Sequence, residues 1–253
     1  MTIFTSVISA LIMREIQTRF ESKKFGYFWA LLDAMTLIVG LVFLRGIIME
    51  IKIIGVDVVV FLATSFLAFF LFKNIVNQSM NAFSSNKALF NYQQVKPIDT
   101  IISRIIIEVL LSLFATIVLV VIGLYLEFNL SVKNFNMVLL AALWLALFGV
   151  SIGIFTAVVA SFYQWFSKIV SFLMMPLLFL SALFYTVDSL PPEYRVYILY
   201  NPVTHFIEML HGYYFQTLDT QYVDYLYMTY WTLIPLFLGL YIYIKGERQI
   251  VAS

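Results

Sequence analysis

Residues 137–167 contain no charged side chain and are mostly apolar. A helix needs about 20 mainly apolar residues to cross the hydrocarbon core of a membrane, so this run is long enough to span it. The whole chain has the same character, because 62% of its 253 residues are hydrophobic and only 11% are charged. Soluble chains carry roughly 45–50% apolar and about 25% charged residues. The sequence therefore predicts a membrane protein and excludes an ordinary soluble domain.

Six apolar segments are long enough to be transmembrane helices. We predict an all-α membrane protein with a single transmembrane domain over residues 1–253. The predicted spans are residues 28–48, 53–72, 105–126, 137–161, 169–187 and 225–244. Asp33 interrupts the first span, and it lies either just below the cytoplasmic interface or against a wet cavity.

The basic residues predict the orientation of these spans. With six spans, the two termini and the second and fourth loops share one side, which holds eleven of the 15 Lys and Arg residues. Because short cytoplasmic loops are enriched in Lys and Arg, we expect both termini in the cytoplasm. Residues 1–24 combine a partial apolar stripe with basic residues toward their end. This pattern favours an amphipathic helix in the membrane interface over a frayed N-terminus.

Two polar segments interrupt the spans. Residues 73–104, on the predicted cytoplasmic side, are rich in Asn, Gln and Ser, and we expect them to contact a partner there. Residues 188–224, the external segment, carry Pro191, Pro192 and Pro202 at positions that suit helix starts. We predict two short helices that dip back into the membrane, which requires protein or a cavity around them. The alternative is a cap that lies on the outer leaflet.

Composition and motifs argue against several kinds of chemistry. The net charge of +1 is not that of a nucleic-acid-binding protein. The absence of cysteine excludes a disulfide framework and a thiol nucleophile. No phosphate-binding loop is visible, so we predict that this chain is not an enzyme. His205 and His211 flank Glu208 at spacings of three, which favours contacts with water or neighbouring helices over a metal site.

Aromatic residues make up 18% of the chain and cluster near the ends of the predicted spans. Belts of Tyr and Trp at the two membrane interfaces account for most of them. Aromatic rings also stack on sugar faces, so a subset that lines a cavity would suit a glycan. The candidates for such a substrate path, together with the acid of the first span, are Tyr27, Trp29, Asp33, Tyr163, Trp165, Phe184 and Tyr185.

Two motifs in the first half of the chain are specific enough to indicate a family. Arg19-Phe20, followed by residues 26–33 (GYFWALLD), resembles the pattern around the first span of the ABC-2 type polysaccharide permeases. The chain departs from that pattern at Ala34, where the family has proline. Residues 86–99 (NKALFNYQQVKPID) resemble the cytoplasmic loop of the capsular polysaccharide branch, the permeases of group 2 ABC exporters.

The second half carries further matches to the same family. Residues 181–185 (SALFY), Leu190-Pro191 and residues 201–208 (NPVTHFIE) resemble its C-terminal third. The order and spacing of these motifs agree across nearly the whole chain, so the resemblance is to the full length of such a permease.

The resemblance implies a transport subunit of the bacterial inner membrane. Similar permeases are homodimers that work with two ATP-binding cassette subunits, so ATP and Mg²⁺ bind to the partner and no cofactor binds to this chain. The substrate is a lipid-linked acidic capsular polysaccharide. In Gram-negative bacteria a periplasmic co-polymerase and an outer-membrane channel continue the path.

The resemblance also implies that the cytoplasmic loop carries a helix that sits in a groove of the ATPase. The candidates for this contact are Phe83, Lys87, Leu89, Phe90, Tyr92 and Lys96. We expect the external segment to act as a gate, with Pro191, Tyr197, Asn201, Pro202, His205 and Glu208 as its candidate residues.

Two other functions remain as alternatives. A multipass glycosyl or acyl transferase would need a polar loop with convergent acids or histidines, and the external segment has only scattered ones. A secondary transporter would favour internal repeats or paired broken helices, and only one Pro-interrupted external segment is visible.

Overall fold

The computed structural model of the protein describes residues 3–22, 56–92 and 94–252. The predicted first span, residues 28–48, lies outside this part of the chain, and so do the path candidates Tyr27, Trp29 and Asp33. The described residues are helical with short 3₁₀ turns, and no strand occurs among them. The all-α class is therefore confirmed.

Nine α-helices make up the described part of the chain. They are α1 (Ile3–Ser22), α2 (Val58–Met80), α3 (Ala82–Asn86), α4 (Pro97–Tyr125), α5 (Phe135–Phe162), α6 (Gln164–Leu180), α7 (Pro192–Leu199), α8 (Pro202–Tyr214) and α9 (Tyr225–Ala252). Two 3₁₀ turns lie at Lys87–Asn91 and Val187–Ser189. Four helices, α2, α4, α5 and α9, are long and apolar enough to cross a membrane, and α6 is apolar but only 17 residues long.

The cytoplasmic loop is shorter than the predicted range of 73–104. Helix α2 continues to Met80 and α4 begins at Pro97, which leaves residues 81–96 between them. The Asn, Gln and Ser content of residues 74–80, which the sequence assigned to the loop, is typical of a loop. Ile75 and Val76 nevertheless pack in the core and carry the helix onward. Pro97 starts α4, because it suits the first helical position and the Asp99 side chain accepts a hydrogen bond from the Lys96 backbone N–H.

The fifth predicted span also ends early. Its predicted range reached residue 187, but α6 ends at Leu180. Ser181 donates its hydroxyl proton back to the carbonyl of Leu177, and Ala182 adopts a left-handed backbone with φ of 56°. A right-handed helix cannot continue through that conformation. Residues 181–186 therefore form a turn that leads into the external segment.

Helix α5 lies at the centre of the fold and packs on α2, α8 and α9. Small residues allow the close approach, since a Cβ at Gly153 would lie 2.8 Å from Oγ of Ser79 on α2. Three rings stack through the core, with Phe148 lying 5.1 Å from Phe72 and 4.8 Å from Phe206 between ring centroids. Phe206 belongs to α8, so part of the external segment is built into the core.

Contacts between non-neighbouring segments define the two ends of the helical bundle. At one end, the backbone N–H of Lys133 in the α4–α5 loop donates to the carbonyl of Tyr214 at the end of α8. At the other end, the Phe83 ring stacks on Tyr243 of α9, and Arg14 of α1 donates to Asn86. Helix α1, residues 81–96 and the last turns of α9 therefore share one end.

Candidate functional site

Helix α8 carries a line of polar side chains through the core. Asn201, Thr204, His205, Glu208 and His211 recur every three or four residues, and α8 buries every residue from 203 to 212. Residues at this spacing lie on neighbouring turns of a helix. Asn201 and Thr204 both bond to the end of α6, whereas the other three side chains each bond to a different segment. The polar contacts of α8 therefore reach several parts of the bundle.

Side chains at the start of α8 donate hydrogen bonds to the end of α6. Asn201 caps α8, because its Oδ1 accepts a hydrogen bond from the Val203 backbone N–H at 3.0 Å. Its Nδ2 donates to Oγ of Ser181 at 2.8 Å and to the carbonyl of Leu180 at 3.1 Å. Thr204 donates its hydroxyl proton to the same Leu180 carbonyl at 3.1 Å. The last carbonyls of a helix lack partners within it, so these bonds supply partners at the end of α6.

His205 bridges α7 and α9. Its Nε2 lies 2.8 Å from the carbonyl of Leu199 at the end of α7, and its Nδ1 lies 3.1 Å from the backbone nitrogen of Asp224 at the start of α9. A carbonyl only accepts and a backbone N–H only donates, so Nε2 is the donor and Nδ1 is the acceptor in these two bonds.

Glu208 anchors the 3₁₀ turn that follows α6. The backbone N–H of Val187 donates to its Oε1 at 2.9 Å, and the side chain is buried. Burial raises the pKa of Glu208 to about 7, and the negative charge of Asp188 adds to the rise, whereas the hydrogen bond from Val187 opposes it. Glu208 therefore takes up a proton close to neutral pH.

His211 ties α8 to α2. Its Nε2 lies 2.8 Å from Oγ of Ser65, and the Ser65 hydroxyl donates to the carbonyl of Phe61 at 2.7 Å. The hydroxyl proton is used in that bond, so the imidazole donates to Oγ and is neutral. Burial against the Phe61 ring lowers the pKa of His211 to about 3. No group of three or more His, Asp or Glu side chains in the described ranges could hold a metal ion.

Helix α7, by contrast, has no buried residue. Pro191 precedes its first turn and Pro202 starts the next helix, as their sequence positions predict. Tyr197 is 72% exposed, and Tyr194 and Tyr200 are exposed beside it. The two predicted short helices are therefore present but differ, because α8 is part of the core whereas α7 lies on the surface.

Arg195 fastens α7 to the rest of the external segment. Its Nε donates to the carbonyl of Leu190 at 2.7 Å, its Nη2 donates to the carbonyl of Asp188 at 2.6 Å, and its Nη1 donates to the hydroxyl of Tyr222. The Tyr222 hydroxyl in turn donates to the Asp188 carboxylate at 2.8 Å. This network holds the first turn of α7 by polar contacts, and the aromatic side chains of the helix stay exposed.

The coupling segment (residues 81–96) is divided into a buried and an exposed side. Phe83 and Phe90 are buried with their rings 6.4 Å apart, and Leu89 is half-buried. Lys87, Tyr92 and Lys96 are exposed. Phe83 and Phe90, which the sequence places among the candidates for a partner contact, have their rings in the core between the coupling segment and α9.

The aromatic path candidates within the described ranges form two separate groups. Tyr163 and Trp165 lie exposed at the start of α6, with ring centroids 6.2 Å apart. Phe184 and Tyr185 follow the other end of α6, where Phe184 packs on Phe66 and the Tyr185 hydroxyl donates to the carbonyl of Phe179. At 1.5 Å per residue, α6 separates the groups by about 25 Å, which is close to the thickness of a membrane core.

Sequence reasoning identified the polar residues of α8 but not their partners. Ser65 is one of two Ser residues in the apolar helix α2, and only the fold brings it to His211. Arg195 and Tyr222 were also missed, because they are far apart in sequence and meet only through the turn at Asp188. Polar residues recur at spacings of three or four after Pro202. This spacing is the signal that could have predicted a helix whose polar side chains hydrogen-bond to neighbouring segments.

The chain is similar over nearly its full length to characterised transport proteins. It is 33% identical over 250 residues to the polysialic acid transport protein KpsM of Escherichia coli, covering 97% of this chain and 95% of that protein. It is 31% identical over 251 residues to the capsule polysaccharide export inner-membrane protein CtrC of Neisseria meningitidis, covering 96% and 92%. It is 28% identical over 215 residues to the capsule polysaccharide export inner-membrane protein BexB of Haemophilus influenzae, covering 85% and 81%.

A match at the level of the family covers both candidate regions. Residues 6–215 match the family described as ABC-2 type transporter, and this range includes the coupling segment, α7 and α8. The match extends over more than half of the chain and agrees with the resemblance carried by the sequence motifs. The chain therefore belongs to the ABC-2 type transporter family.

Proposed function

We propose that this chain is the permease subunit of an ATP-driven exporter that moves lipid-linked acidic capsular polysaccharide across the bacterial inner membrane. The observation that carries the proposal is the similarity over almost the full length to KpsM, CtrC and BexB, whose names describe polysialic acid transport and capsule polysaccharide export. The long apolar helices α2, α4, α5 and α9 are consistent with a membrane location.

The energy for export comes from two copies of a separate ATP-binding cassette subunit, which bind ATP and Mg²⁺. These subunits contact the exposed side of the coupling segment, where Lys87, Tyr92 and Lys96 project from the bundle. This end of the bundle faces the cytoplasm, as the distribution of Lys and Arg indicates, and α1 lies in the membrane interface beside it.

Two copies of this chain form the transport path between them. The exposed apolar residues of α6, among them Phe172 and Phe179, supply a surface that a second copy covers. The path runs along α6, with Tyr163 and Trp165 at one end and Phe184 and Tyr185 at the other. Stacked rings bind sugars weakly and allow sliding. A Lys or Arg would instead hold an acidic polymer at about 4 kcal/mol per contact at 4 Å for an effective dielectric constant of 20.

The external segment closes the path on the periplasmic side, where α7 and α8 dip toward the membrane without crossing it. Helix α7, fastened by Arg195 and otherwise exposed, is the part of the gate that faces the polymer and the periplasmic co-polymerase. An outer-membrane channel continues the path beyond it.

The buried acid and histidines of α8 are poorly suited to the alternative of a membrane transferase. Glu208, His205 and His211 each bond to a structural partner in a different segment, so they do not converge on one reacting atom. The described part of the chain therefore supports a transport subunit better than an acid–base catalyst.

Deletion of the gene in the producing bacterium tests the proposal. We expect surface polysaccharide to disappear while lipid-linked polymer accumulates inside the cell, and a plasmid copy of the gene to restore export. The matched control is a strain with an inactive ATPase partner, which should show the same accumulation. If the deletion strain makes no polymer at all, the chain acts in synthesis and the export proposal is wrong.

A further inference from the structure

Helix α9 continues beyond the residues needed to cross a membrane, and its last turns carry a buried face. The predicted span ended at residue 244, but the helix runs to Ala252. Ile250 is only 2% exposed although it lies next to Val251, which is 42% exposed. Tyr243 is buried seven residues before Ile250, and residues seven apart lie on the same face of a helix.

This face packs on the coupling segment. Ile250 and Tyr243 share one hydrophobic cluster with Ala82, Phe83 and Phe90. The Phe83 ring stacks on Tyr243 with centroids 6.5 Å apart. The coupling segment therefore rests on the last turns of α9, and this contact explains why its two phenylalanines point inward.

Close packing between α9 and α5 fixes the position of the last turns of α9, on which the coupling segment packs. Gly246 lies between Tyr243 and Ile250, and a Cβ there would lie 2.5 Å from the Phe162 ring at the end of α5. The hydroxyl of Tyr243 donates to Glu247 at 2.8 Å, which orders the same turn. On its other side the coupling segment is held by α1, where Arg14 donates to Asn86 at 3.0 Å.

The opposite end of α9 contacts the external segment. The backbone N–H of Asp224 donates to His205, and the Tyr227 hydroxyl donates to the carbonyl of Tyr200 at 2.7 Å. One continuous helix of 28 residues, about 42 Å long, thus contacts both candidate functional regions.

We propose that the last three turns of α9, through Tyr243 and Ile250, are a positioning element that holds the coupling segment against the bundle and carries the movement of the ATPase into α9. The proposal rests on the proposed function, in which the coupling segment contacts the ATPase. Tyr243 and Ile250 are positioning residues, because they act through Phe83 and Phe90 and not on the polymer.

The first test measures positioning without the ATPase or any transport. Hydrogen–deuterium exchange of residues 82–91 is compared in the wild-type permease, I250A and V251A. We expect faster exchange of these amides in I250A, because the buried support is lost, and wild-type exchange in V251A, whose altered side chain is exposed. Wild-type exchange in both variants would overturn the proposal whether or not the chain exports polysaccharide.

The second test measures polymer exported per ATP hydrolysed by the assembled complex. We expect I250A to lower this ratio roughly two- to thirtyfold, the range seen when residues that couple two sites are altered. V251A should match the wild type, and I250L should recover most of the ratio because it keeps the apolar volume. A purely structural role would lower the amount of complex and leave the ratio unchanged.

A milder variant is included in case I250A does not accumulate in the membrane. I250V removes a single methylene and keeps a branched apolar side chain. A ratio equal to that of V251A would then overturn the proposal. If the wild-type complex itself exports no polymer, the proposed function fails, and the exchange experiment still decides whether α9 positions the coupling segment.

Discussion

Burial of single polar residues sets the properties of α8. Glu208, His205 and His211 all lie within the described core, and each has a defined hydrogen-bond partner. Two of them have pKa values shifted by burial, in opposite directions, and both shifts favour the neutral form. Stability should therefore depend on pH below neutrality, in opposite directions for the two groups.

The acid on α8 predicts a loss of stability as pH rises. The pKa of Glu208 is about 7 in the fold and 4.5 without its environment, so its contribution is complete below about pH 4.5 and is lost as pH rises through 7. The loss should be on the order of 3 kcal/mol. In thermal unfolding of the purified proteins between pH 5 and pH 8.5, the stability of the wild type relative to E208Q should fall up to about pH 7 and stay level above it.

His211 opposes this trend at low pH. Its pKa falls to about 3 in the fold from 6.5, so its contribution is present above pH 6.5 and is lost as pH falls toward 3. Both the wild type and E208Q keep His211, so their difference isolates Glu208. E193Q, which alters an exposed acid of α7, serves as the control and should follow the wild type. Equal changes in stability between pH 5 and pH 7 in the wild type and E208Q would contradict the assignment.

The residue patterns could predict part of this arrangement. The spacing of His205, Glu208 and His211 indicated contacts with water or neighbouring helices, and His211 does contact Ser65 on α2. The spacing could not indicate which neighbours these were. Ser65 and Val187 reach α8 only because α2 and the turn after α6 pack against it.

For the helices, the apolar runs of the sequence predicted which segments are helical, but they predicted the residues at which the helices begin and end less well. The predicted second to sixth spans all correspond to helices, but α2 and α4 extend into the stretch predicted as a loop. Composition misled there, because the polar residues of α2 lie beside buried Ile75 and Val76. The left-handed backbone of Ala182, which prevents α6 from continuing, had no signal in the sequence.

The two sides of the coupling segment should respond differently to substitution. F90A removes a buried ring and should cost about 3–5 kcal/mol of stability, which thermal unfolding measures. Y92A alters a side chain that is 65% exposed, so stability should change by less than about 0.5 kcal/mol. Its effect should instead be weaker co-purification of the ATPase, because exposed aromatic residues often dominate interface energy.

Y125A is the matched control for this comparison. Tyr125 is also an exposed tyrosine, but it lies at the opposite end of the bundle from the coupling segment. We expect the ATPase to co-purify normally with Y125A. Equal co-purification with Y92A, Y125A and the wild type would exclude Tyr92 from the ATPase contact.

The external segment should expose its core helix when the gate opens. The chain has no native cysteine, so single substitutions can be labelled without background. Y197C lies on exposed α7 and should react with a membrane-impermeant thiol reagent in every state, whereas F206C is fully buried and should react only if α8 moves. We expect trapped ATP to change the labelling of F206C by more than that of Y197C.

If the external segment is a gate, ATP should change the labelling of F206C. If F206C stays unreactive with and without trapped ATP while the complex is active, α8 is a fixed part of the core. The external segment would then be a static cap, and only α7 could change position.

For the whole molecule, composition and motif order were sufficient to predict the class and the family. The apolar content indicated a membrane protein, and motifs spread from residue 19 to residue 208 indicated an ABC-2 type permease. The sequence could not predict that α8 is built into the core or that the end of α9 supports the coupling segment. Both depend on contacts such as Phe206 with Phe148 and Phe83 with Tyr243, which join distant parts of the chain.

The most direct measurement of the central claim uses the purified permease and its ATPase partner in lipid vesicles loaded with lipid-linked polysaccharide. We expect polymer to cross the membrane only when both subunits and ATP are present, and not when the ATPase is inactive. Movement of polymer by this chain alone, driven by an ion gradient, would indicate a secondary transporter. Extension or modification of the polymer without movement would indicate a transferase. Either result would contradict the account of this chain as an ATP-driven export permease.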